Sequence, residues 1–472
     1  MSFRYRYNIP STLQLKTCSA VLCWLLLAGL AARAQPVGSP GSLAGPEAPA
    51  LWPGAAARLE ALQEAGWLLH GQATFVEQFH PGFRSPYKGE NSLQPGTLQR
   101  NTFSTDIVIG RRLWPGAELV FDPQVSRGFG LSGTRGAAAF PNGEAFRLGS
   151  EGPSAYVTRL FLRQTIPLSA DLVEAEPDPL RFAGPVPRER LTLTAGKIAV
   201  FDIFDRNRYA HDPRTQFLNW AFVSAGAFDF ANDAKGYTTG IAVEWENGIW
   251  GLRAGALQVA KRINSLSLDP QPFKGYQLLA QLDHFHAPAG RPGAVRLLLG
   301  LSRTRSQSYR TLLAGDITDT EVNRAGGYAT KLMAVLNLEQ ELAEGLGAFA
   351  RLSWNDGRTQ QWMYTEMDWA VSAGLALEGA PWGRPEDVLG LAGNLAGLSD
   401  PHRRFLAAGG LGFILGDGRL NYAPEVALEG YYAIAAAPGV AVTLDAQLLV
   451  NPAFNADRGP VGVFSFRLRG AF

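Results

Sequence analysis

Cysteine is nearly missing from this sequence, which therefore lacks most of the chemistry that thiols supply. The 472 residues include 2 cysteines, Cys18 and Cys23, and both lie in the first segment of the chain. Removal of that segment would exclude disulfides, thiol catalysis and cysteine metal sites together. An excess of one charge is missing too, because 43 basic residues stand against 42 acidic ones. This balance gives no sign of a nucleic-acid partner, and none is expected.

The sequence also lacks an apolar run long enough to span a membrane as a helix. The run "CSAVLCWLLLAGLAA", which begins at Cys18, has about 15 residues, whereas a membrane-spanning helix needs about 20. It follows a basic start and precedes "ARA" at residues 32–34, which has the small-x-small form of a signal-peptidase site. These features predict a signal peptide over residues 1–34, with an uncleaved anchor as the alternative.

Two short regions separate this segment from the main domain. Residues 35–52 are rich in Pro, Gly, Ala and Ser, a composition that predicts a linker. Within residues 53–66, Leu59 and Leu62 recur at helical spacing and Gly66 follows as a cap, which predicts a short helix. We expect this helix to lead into the first strand, and the alternative is that it plugs or seals a channel.

Alternation with a period of two residues dominates the main domain, residues 67–472. In "GAVRLLLGLS", Leu297, Leu299 and Leu301 alternate with polar positions that include Arg296. A soluble sandwich or β-helix would turn the polar face outward. A membrane barrel would instead turn the apolar face to lipid and the polar face to a water-filled interior.

The lengths of the connections favour the membrane barrel. Short turns such as "WPG" (114–116) and "PG" (438–439) alternate with long polar connections near residues 127–154, 200–235 and 303–325. Outer-membrane barrels show this pattern, and they carry aromatic girdles where strands meet the interface. Aromatic residues recur at the predicted strand ends, namely Trp67, Trp114, Tyr156, Tyr237, Trp245, Trp250, Tyr276, Trp354 and Trp369.

The C-terminus strengthens this interpretation. In "VFSFRLRGAF", Phe464, Phe466 and Phe472 fall on one face of a strand, and Arg467 and Arg469 fall on the other. A terminal Phe at this parity is how bacterial outer-membrane barrels finish. We therefore expect the barrel-assembly machinery to bind the last strand, and lipid and lipopolysaccharide to contact the outer face.

Together these patterns predict an all-β protein, a transmembrane antiparallel β-barrel. At about 25 positions for a strand and its share of the connections, residues 67–472 hold about 16 strands. The barrel would carry a short N-terminal helix and inward-folded loops, and it would be an integral, multi-pass protein of the bacterial outer membrane. A barrel of this size encloses an aqueous channel.

The stretch "DRNRYAHDPRTQFLNW" (205–220) has neither a helical stripe nor strand alternation. It has too few apolar residues to pack by itself, so we expect it to fold inward against the wall and narrow the channel. Such a constriction has the groups that bind a sugar, because charged and amide groups bond sugar hydroxyls and aromatic rings stack on sugar faces. The predicted constriction residues are Asp205, Arg206, Arg208, Tyr209, His211, Asp212, Arg214, Asn219 and Trp220, with Glu118, Arg159 and Arg163 on the wall.

Other kinds of site are less well supported by the residues. His211 with Asp212 and Asp205 lacks the spacing of a metal or catalytic motif. His284 and His286 lie by a predicted short turn, but no nucleophile motif accompanies them. The sequence therefore assigns no catalytic residue, metal or cofactor, and an outer-membrane barrel enzyme is a remote alternative.

Several stretches resemble the carbohydrate-selective porins of Gram-negative bacteria, the OprB type. They are "GKIAVFDIFDRNRYAHDPRTQFLNWA" (196–221), "AAGGLGFILGDGRLNYAPEVALEGYY" (407–432) and "NPAFNADRGPVGVFSFRLRGAF" (451–472). The resemblance covers most of the chain after the predicted signal peptide. It implies a 16-stranded barrel that passes sugars by diffusion through a narrowed, solute-binding channel.

The expected function is passive, carbohydrate-selective diffusion of small sugars, and we expect these sugars to be monosaccharides. A general diffusion porin for small hydrophilic solutes is the main alternative. Wall charges of both signs argue against a channel that selects ions of one sign. The sequence leaves open whether the barrel works alone or as a homo-oligomer.

Overall fold

The structure is a computed structural model that describes residues 55–145, 152–175, 178–315 and 327–472. The predicted signal peptide and linker lie outside these residues. Within the described ranges, sixteen strands close into one antiparallel barrel. The predicted all-β barrel and its strand count are therefore confirmed.

The sixteen strands of the barrel follow one another around it in chain order, and the described residues form eighteen strands in all. They are β1 (Trp67–His80), β2 (Leu98–Trp114), β3 (Ala117–Arg127), β4 (Ser154–Pro167), β5 (Leu172–Glu174), β6 (Pro185–Pro187), β7 (Arg190–Ile198), β8 (Thr238–Glu246), β9 (Trp250–Gln258), β10 (Tyr276–His286), β11 (Gly293–Thr304), β12 (Ala329–Ala343), β13 (Leu346–Asn355), β14 (Trp369–Gly379), β15 (Arg384–Gly397), β16 (Glu425–Ala437), β17 (Val440–Val450) and β18 (Val461–Ala471). Strands β5 and β6 form a separate hairpin, so β4 pairs with β7. Strand β18 closes on β1 with Leu468 opposite Phe75. Closure pairs the backbone all the way round, which a sheet in lipid requires.

Four α-helices occur in the described residues, and all are short. They are α1 (Ala55–Glu64), α2 (Trp220–Val223), α3 (Tyr309–Ala314) and α4 (Asp400–Ala407). In this part of the chain no helix has both the length and the apolar character to cross a membrane. Helix α1 ends before Gly66, whose φ of 80° is the left-handed conformation that favours glycine after a helix, and β1 begins at the next residue.

The strands alternate between an apolar outer face and a polar inner face. In β11, Leu297 and Leu299 are 44% and 54% exposed, whereas their neighbour Arg296 is 8% exposed. In β9, Leu252 points outward and Arg253 points inward in the same way. Exposed leucines around a barrel of buried charges are the inverse of a soluble core, and they match a lipid-facing surface.

The two ends of the barrel differ. At one end, the long-loop end, the connections are 81–97, 128–153, 199–237, 259–275, 305–328, 356–368, 398–424 and 451–460. At the other end, the short-turn end, most are brief: 115–116, 247–249, 287–292, 344–345, 380–383 and 438–439. The exception there is residues 168–189, which contain the β5–β6 hairpin. The short-turn end of such barrels faces the periplasm.

The long loops fold into the barrel and share an aromatic core. Trp220 stacks on Phe140 at 5.3 Å between ring centroids, and it lies 4.5 Å from the ring of Tyr364. Phe230 lies 5.8 Å from Trp220 and 5.6 Å from Tyr364. Burial of these rings stabilises loops that have few regular backbone hydrogen bonds of their own.

The aromatic girdle matches the prediction only in part. Trp67, Trp114 and Trp354 are exposed on the outer face at strand ends. Tyr156 and Tyr237, however, point into the barrel, with their rings 6.2 Å apart. A β-bulge at Asp122 and Pro123 shifts the register of β3 against β4. Strict alternation counted from the inward-facing Arg163 would place Tyr156 on the outer face, but the bulge turns it inward.

Candidate channel constriction

The connection between β7 and β8, residues 199–237, is called here the constriction segment, and it crosses the barrel interior. Arg351 of β13 is the main anchor of its first half. Its Nε lies 3.2 Å from Asp205 Oδ1, and its Nη2 donates to the carbonyl oxygens of Asp205 at 3.2 Å and Ala210 at 2.7 Å. Its Nη1 donates to the carbonyl of Phe222 at 2.8 Å. One buried guanidinium therefore holds three turns of the segment on the wall.

The carboxylate of Asp205 is fully engaged by these contacts and by others. Asn337 donates to its Oδ1 at 2.6 Å, and the backbone N–H of Ala225 donates to its Oδ2 at 2.8 Å. Asp205 is 1% exposed, and its φ of 53° is left-handed. A buried carboxylate is stable only with such partners. Asp205 therefore shapes the segment from inside the packing and does not face the channel.

The middle of the segment is held by strands β16 and β18, which lie three and five strands from β13 around the barrel. Glu429 of β16 accepts the backbone N–H groups of Leu218 at 2.6 Å and Asn219 at 2.9 Å. Arg467 of β18 donates to the carbonyls of Pro213 and Gln216, both at 2.7 Å. Wall charges thus satisfy loop backbone groups that have no partner in a sheet or helix.

Two arginines make further ion pairs that hold the segment, one at its start and one near its middle. Arg214 bonds Asp106 of β2 at 2.7 Å and Glu144 at 3.0 Å. Arg159 of β4 bonds Asp202 of the segment at 2.7 Å and Asp122 of β3 at 2.8 Å. At these points of the lumen, each arginine therefore lies beside carboxylates that compensate its charge.

The predicted site residues divide into two groups. Asp205, Tyr209, Asn219 and Trp220 are buried in the packing between segment, wall and other loops. Arg206, Arg208, His211, Asp212 and Arg214 are half-buried and form the polar edge of the segment. Of the three wall residues, Arg163 pairs with Glu118 at 3.2 Å, and Arg159 makes the pairs described above.

Tyr209 packs tightly against the wall. A Cβ built on Gly347 of β13 would lie 2.0 Å from the Tyr209 ring, so only glycine fits opposite this ring. Phe217 packs nearby, with its ring 4.9 Å from Tyr431 and 5.6 Å from Phe349. These aromatic residues secure the segment by packing against strands β13 and β16.

Two polar atoms in this region have no protein partner among the described residues, namely Nε1 of Trp220 and Nδ1 of His211. Burial, together with Arg206 and Arg351, lowers the pKa of His211 to about 4, although Asp205 and Asp212 oppose this. His211 is therefore neutral near pH 7. In the described part of the chain, no group of three or more His, Cys, Asp or Glu residues is arranged to hold a metal ion.

Several residues that hold the segment were not predicted from the sequence. Arg351, Glu429 and Arg467 lie on strands with ordinary alternation, and only their parity marked them as inward-facing. The connection 168–189 was not predicted either, although "EAEPDPLRFAGPVP" (174–187) between two strands is too long and too proline-rich for a short turn.

A closed barrel with an apolar belt, a charged interior and an inward-folded segment defines a class of protein. It is a passive channel of the outer membrane, a porin. The sequence profile described as "Carbohydrate-selective porin, OprB family" matches residues 91–472. The chain belongs to this family, and it is an integral protein of the bacterial outer membrane.

Among the solved structures, that of Pseudomonas putida OprB at high pH agrees with this fold. The high-pH structure of Pseudomonas putida OprB gives a TM-score of 0.67 at 15% identity, covering 93% of this chain and 100% of that chain. Its low-pH structure gives 0.48 at 12% identity, covering 92% and 100%. The outer-membrane channel DcaP of Acinetobacter baumannii gives 0.49 at 10% identity, covering 87% and 98%. No curated protein matches the chain.

Proposed function

We propose that this porin conducts monosaccharides by passive diffusion, and that the polar edge of the constriction segment is where they are recognised. The edge consists of Arg206, Arg208, His211, Asp212 and Arg214. Glu118, Arg159 and Arg163 are the wall residues of the same site. Asp205, Tyr209, Asn219 and Trp220 shape this edge from behind.

One observation carries the proposal: the apolar and the charged side chains of the segment lie on different sides of it. Its apolar rings and Asp205 pack against the wall, whereas charged side chains of both signs and the mostly buried, neutral imidazole of His211 lie along the edge. A sugar offers hydroxyls that both donate and accept, so it can bond cationic donors and carboxylate acceptors in one place. An ion of either sign meets a repelling group beside each attracting one.

Transport also requires that the solute leaves again. Charged side chains that are already paired, such as Arg214 with Asp106 and Glu144, give up part of their interaction when they bind a sugar. Exchange of one hydrogen bond for another yields a small net gain. Recognition of this kind is weak enough for conduction.

Liposome swelling tests the proposal. The purified full chain is reconstituted, and swelling rates are compared for glucose, a disaccharide and a zwitterionic amino acid close to glucose in size. We expect glucose to enter fastest. Equal rates for glucose and the amino acid would instead identify a general diffusion porin.

A pair of variants locates the recognition. Arg206→Gln with Arg208→Gln should abolish the preference for glucose, while heat-modifiable migration on a gel shows that the barrel still assembles. Arg404→Gln, in the exposed helix α4, is the matched control and should keep the preference. A preference unchanged in the double variant would place selectivity elsewhere on the wall.

A further inference from the structure

The connection 168–189 is the one long excursion at the short-turn end among the described residues. Strands β5 and β6 pair outside the barrel sheet. Between them, residues 178–184, called here the inner segment, turn back to the barrel wall. Leu180 and Phe182 are buried there, whereas Ala183 and Gly184 stay exposed.

Three barrel strands hold the inner segment from inside. Arg163 of β4 donates to the carbonyl of Leu180 at 2.8 Å. Arg181 lies 4.0 Å from Glu244 of β8, and the guanidinium of Arg112 in β2 lies 4.4 Å from the centre of the Phe182 ring. Since these wall residues point inward, the inner segment occupies the lumen near its periplasmic mouth.

The inner segment meets the constriction segment through one ion pair. Asp178 Oδ2 lies 3.4 Å from Nη2 of Arg206 and 3.7 Å from Nε of Arg181. Arg206 belongs to a loop that enters from the long-loop end, so segments from opposite ends touch at this pair. Burial works against the charge of Asp178, but Arg206 and Arg181 outweigh it and hold the pKa at about 2.

The surroundings of Asp178 are rich in arginine. Arg163, Arg181 and Arg206 lie around it, and Arg253 bonds Glu244, Glu246 and Asp283 next to them. Glu118 and Glu244 are already shared with Arg163 and Arg253. Asp178 is the carboxylate that the inner segment itself contributes to this cluster, and it lies between Arg181 and Arg206.

We propose that the inner segment is a second constriction, in series with the first, and that Asp178 sets its charge selectivity by cancelling the arginines around it. A solute that has passed the edge of the constriction segment then passes the inner segment, where the balanced charge admits neutral solutes. The inference rests on the channel function and does not require sugar recognition at the first constriction. Liposome swelling tests sugar recognition at the first constriction, and the electrical measurements test the second constriction, so either proposal can fail without the other.

Reversal potentials in planar bilayers under a potassium chloride gradient test the role of Asp178. In Asp178→Asn, the unbalanced arginines should favour anions and disfavour cations by roughly fivefold each, the effect of one unit charge at about 4 Å in water, so the anion-to-cation permeability ratio should rise by roughly twenty-fivefold. Asp171→Asn is the matched control, because Asp171 is exposed in the same connection. An unchanged ratio in Asp178→Asn overturns the proposal.

Blocking from one side tests the position of the inner segment. Ala183→Cys is exposed, and a negatively charged thiol reagent added at the short-turn side should reduce its conductance by half or more. The same reagent is added to the wild type to correct for any reaction with Cys18 and Cys23. If the reagent reduces the conductance of Ala183→Cys no more than that of the wild type, the proposal is overturned. This result decides the question by itself if Asp178→Asn fails to assemble.

Discussion

Arg351 and Asp205 form a buried ion pair between the barrel wall and the constriction segment, with Nε 3.2 Å from Oδ1. Each side chain is about 1% exposed or less, and each makes further bonds to backbone groups of the segment. The pair fixes where the segment leaves the wall. The shape of the channel therefore depends on residues that no solute contacts.

Loss of this anchor should loosen the segment while the barrel persists. Removal of one partner of a buried pair costs about 3–5 kcal/mol, because the other charge stays buried without compensation. In Arg351→Met we expect lower thermal stability and a larger, noisier single-channel conductance. Arg404→Gln is the control, since its pair with Asp400 is exposed and contributes about 0–1 kcal/mol. Identical conductance in Arg351→Met and wild type would show that the segment is held by its other contacts.

The contact between Gly347 and Tyr209 predicts a packing defect from one methyl group. Gly347→Ala places a carbon 2.0 Å from the Tyr209 ring, so segment and wall must move apart. Such overpacking costs about 1–3 kcal/mol. The expected result is a lower unfolding temperature and an altered conductance, both measured on the purified barrel. Gly96→Ala, where the added carbon meets no atom within 4 Å, should match the wild type.

His211 predicts a loss of stability in mild acid. Its pKa in the folded chain is about 4, below the ordinary value of 6.5, because it is buried near Arg206 and Arg351. Between pH 6.5 and 4 the unfolded chain therefore binds a proton that the folded chain does not, so stability falls as pH falls through this window. In His211→Asn, the unfolding temperature should drop less between pH 7.5 and 5 than in the wild type. An equal drop in both proteins would show that other groups account for the acid response.

The lipid-facing surface predicts how the barrel tolerates charge. Leu299 lies at the middle of β11 on the outer face, and Arg there should cost about 2–4 kcal/mol in the bilayer. We expect Leu299→Arg to reduce the fraction of assembled barrel, measured by heat-modifiable migration. Leu266→Arg is the control, because Leu266 is equally exposed but lies in a connection at the long-loop end. Normal assembly of Leu299→Arg would contradict the assignment of this face to lipid.

Much of the fold could be predicted because inside and outside alternate along each strand. Leu297, Leu299 and Arg296 take the faces that the pattern predicts. The prediction fails for Tyr156, because a β-bulge opposite Asp122 and Pro123 makes Thr158 an extra residue in β4. Such a shift leaves almost no mark in the sequence, because the residues on either side of it still alternate.

The site was less predictable. Its stretch of sequence was recognised from its polarity, but polarity does not say which side chains face the channel. Asp205 and Tyr209 are buried, whereas Arg206 and Arg208 are half-exposed, although all four are neighbours. The division follows from partners distant in sequence, such as Arg351 for Asp205 and Gly347 for Tyr209.

The sequence by itself determined that this chain is an outer-membrane barrel of about 16 strands, since the alternation of apolar and polar residues is local and repeats in every strand. Only the tertiary structure decided how the interior is filled. The pairs Arg351 with Asp205 and Arg206 with Asp178 join residues 146 and 28 positions apart. Their contact depends on barrel closure and on loops entering from both ends, which no local pattern encodes.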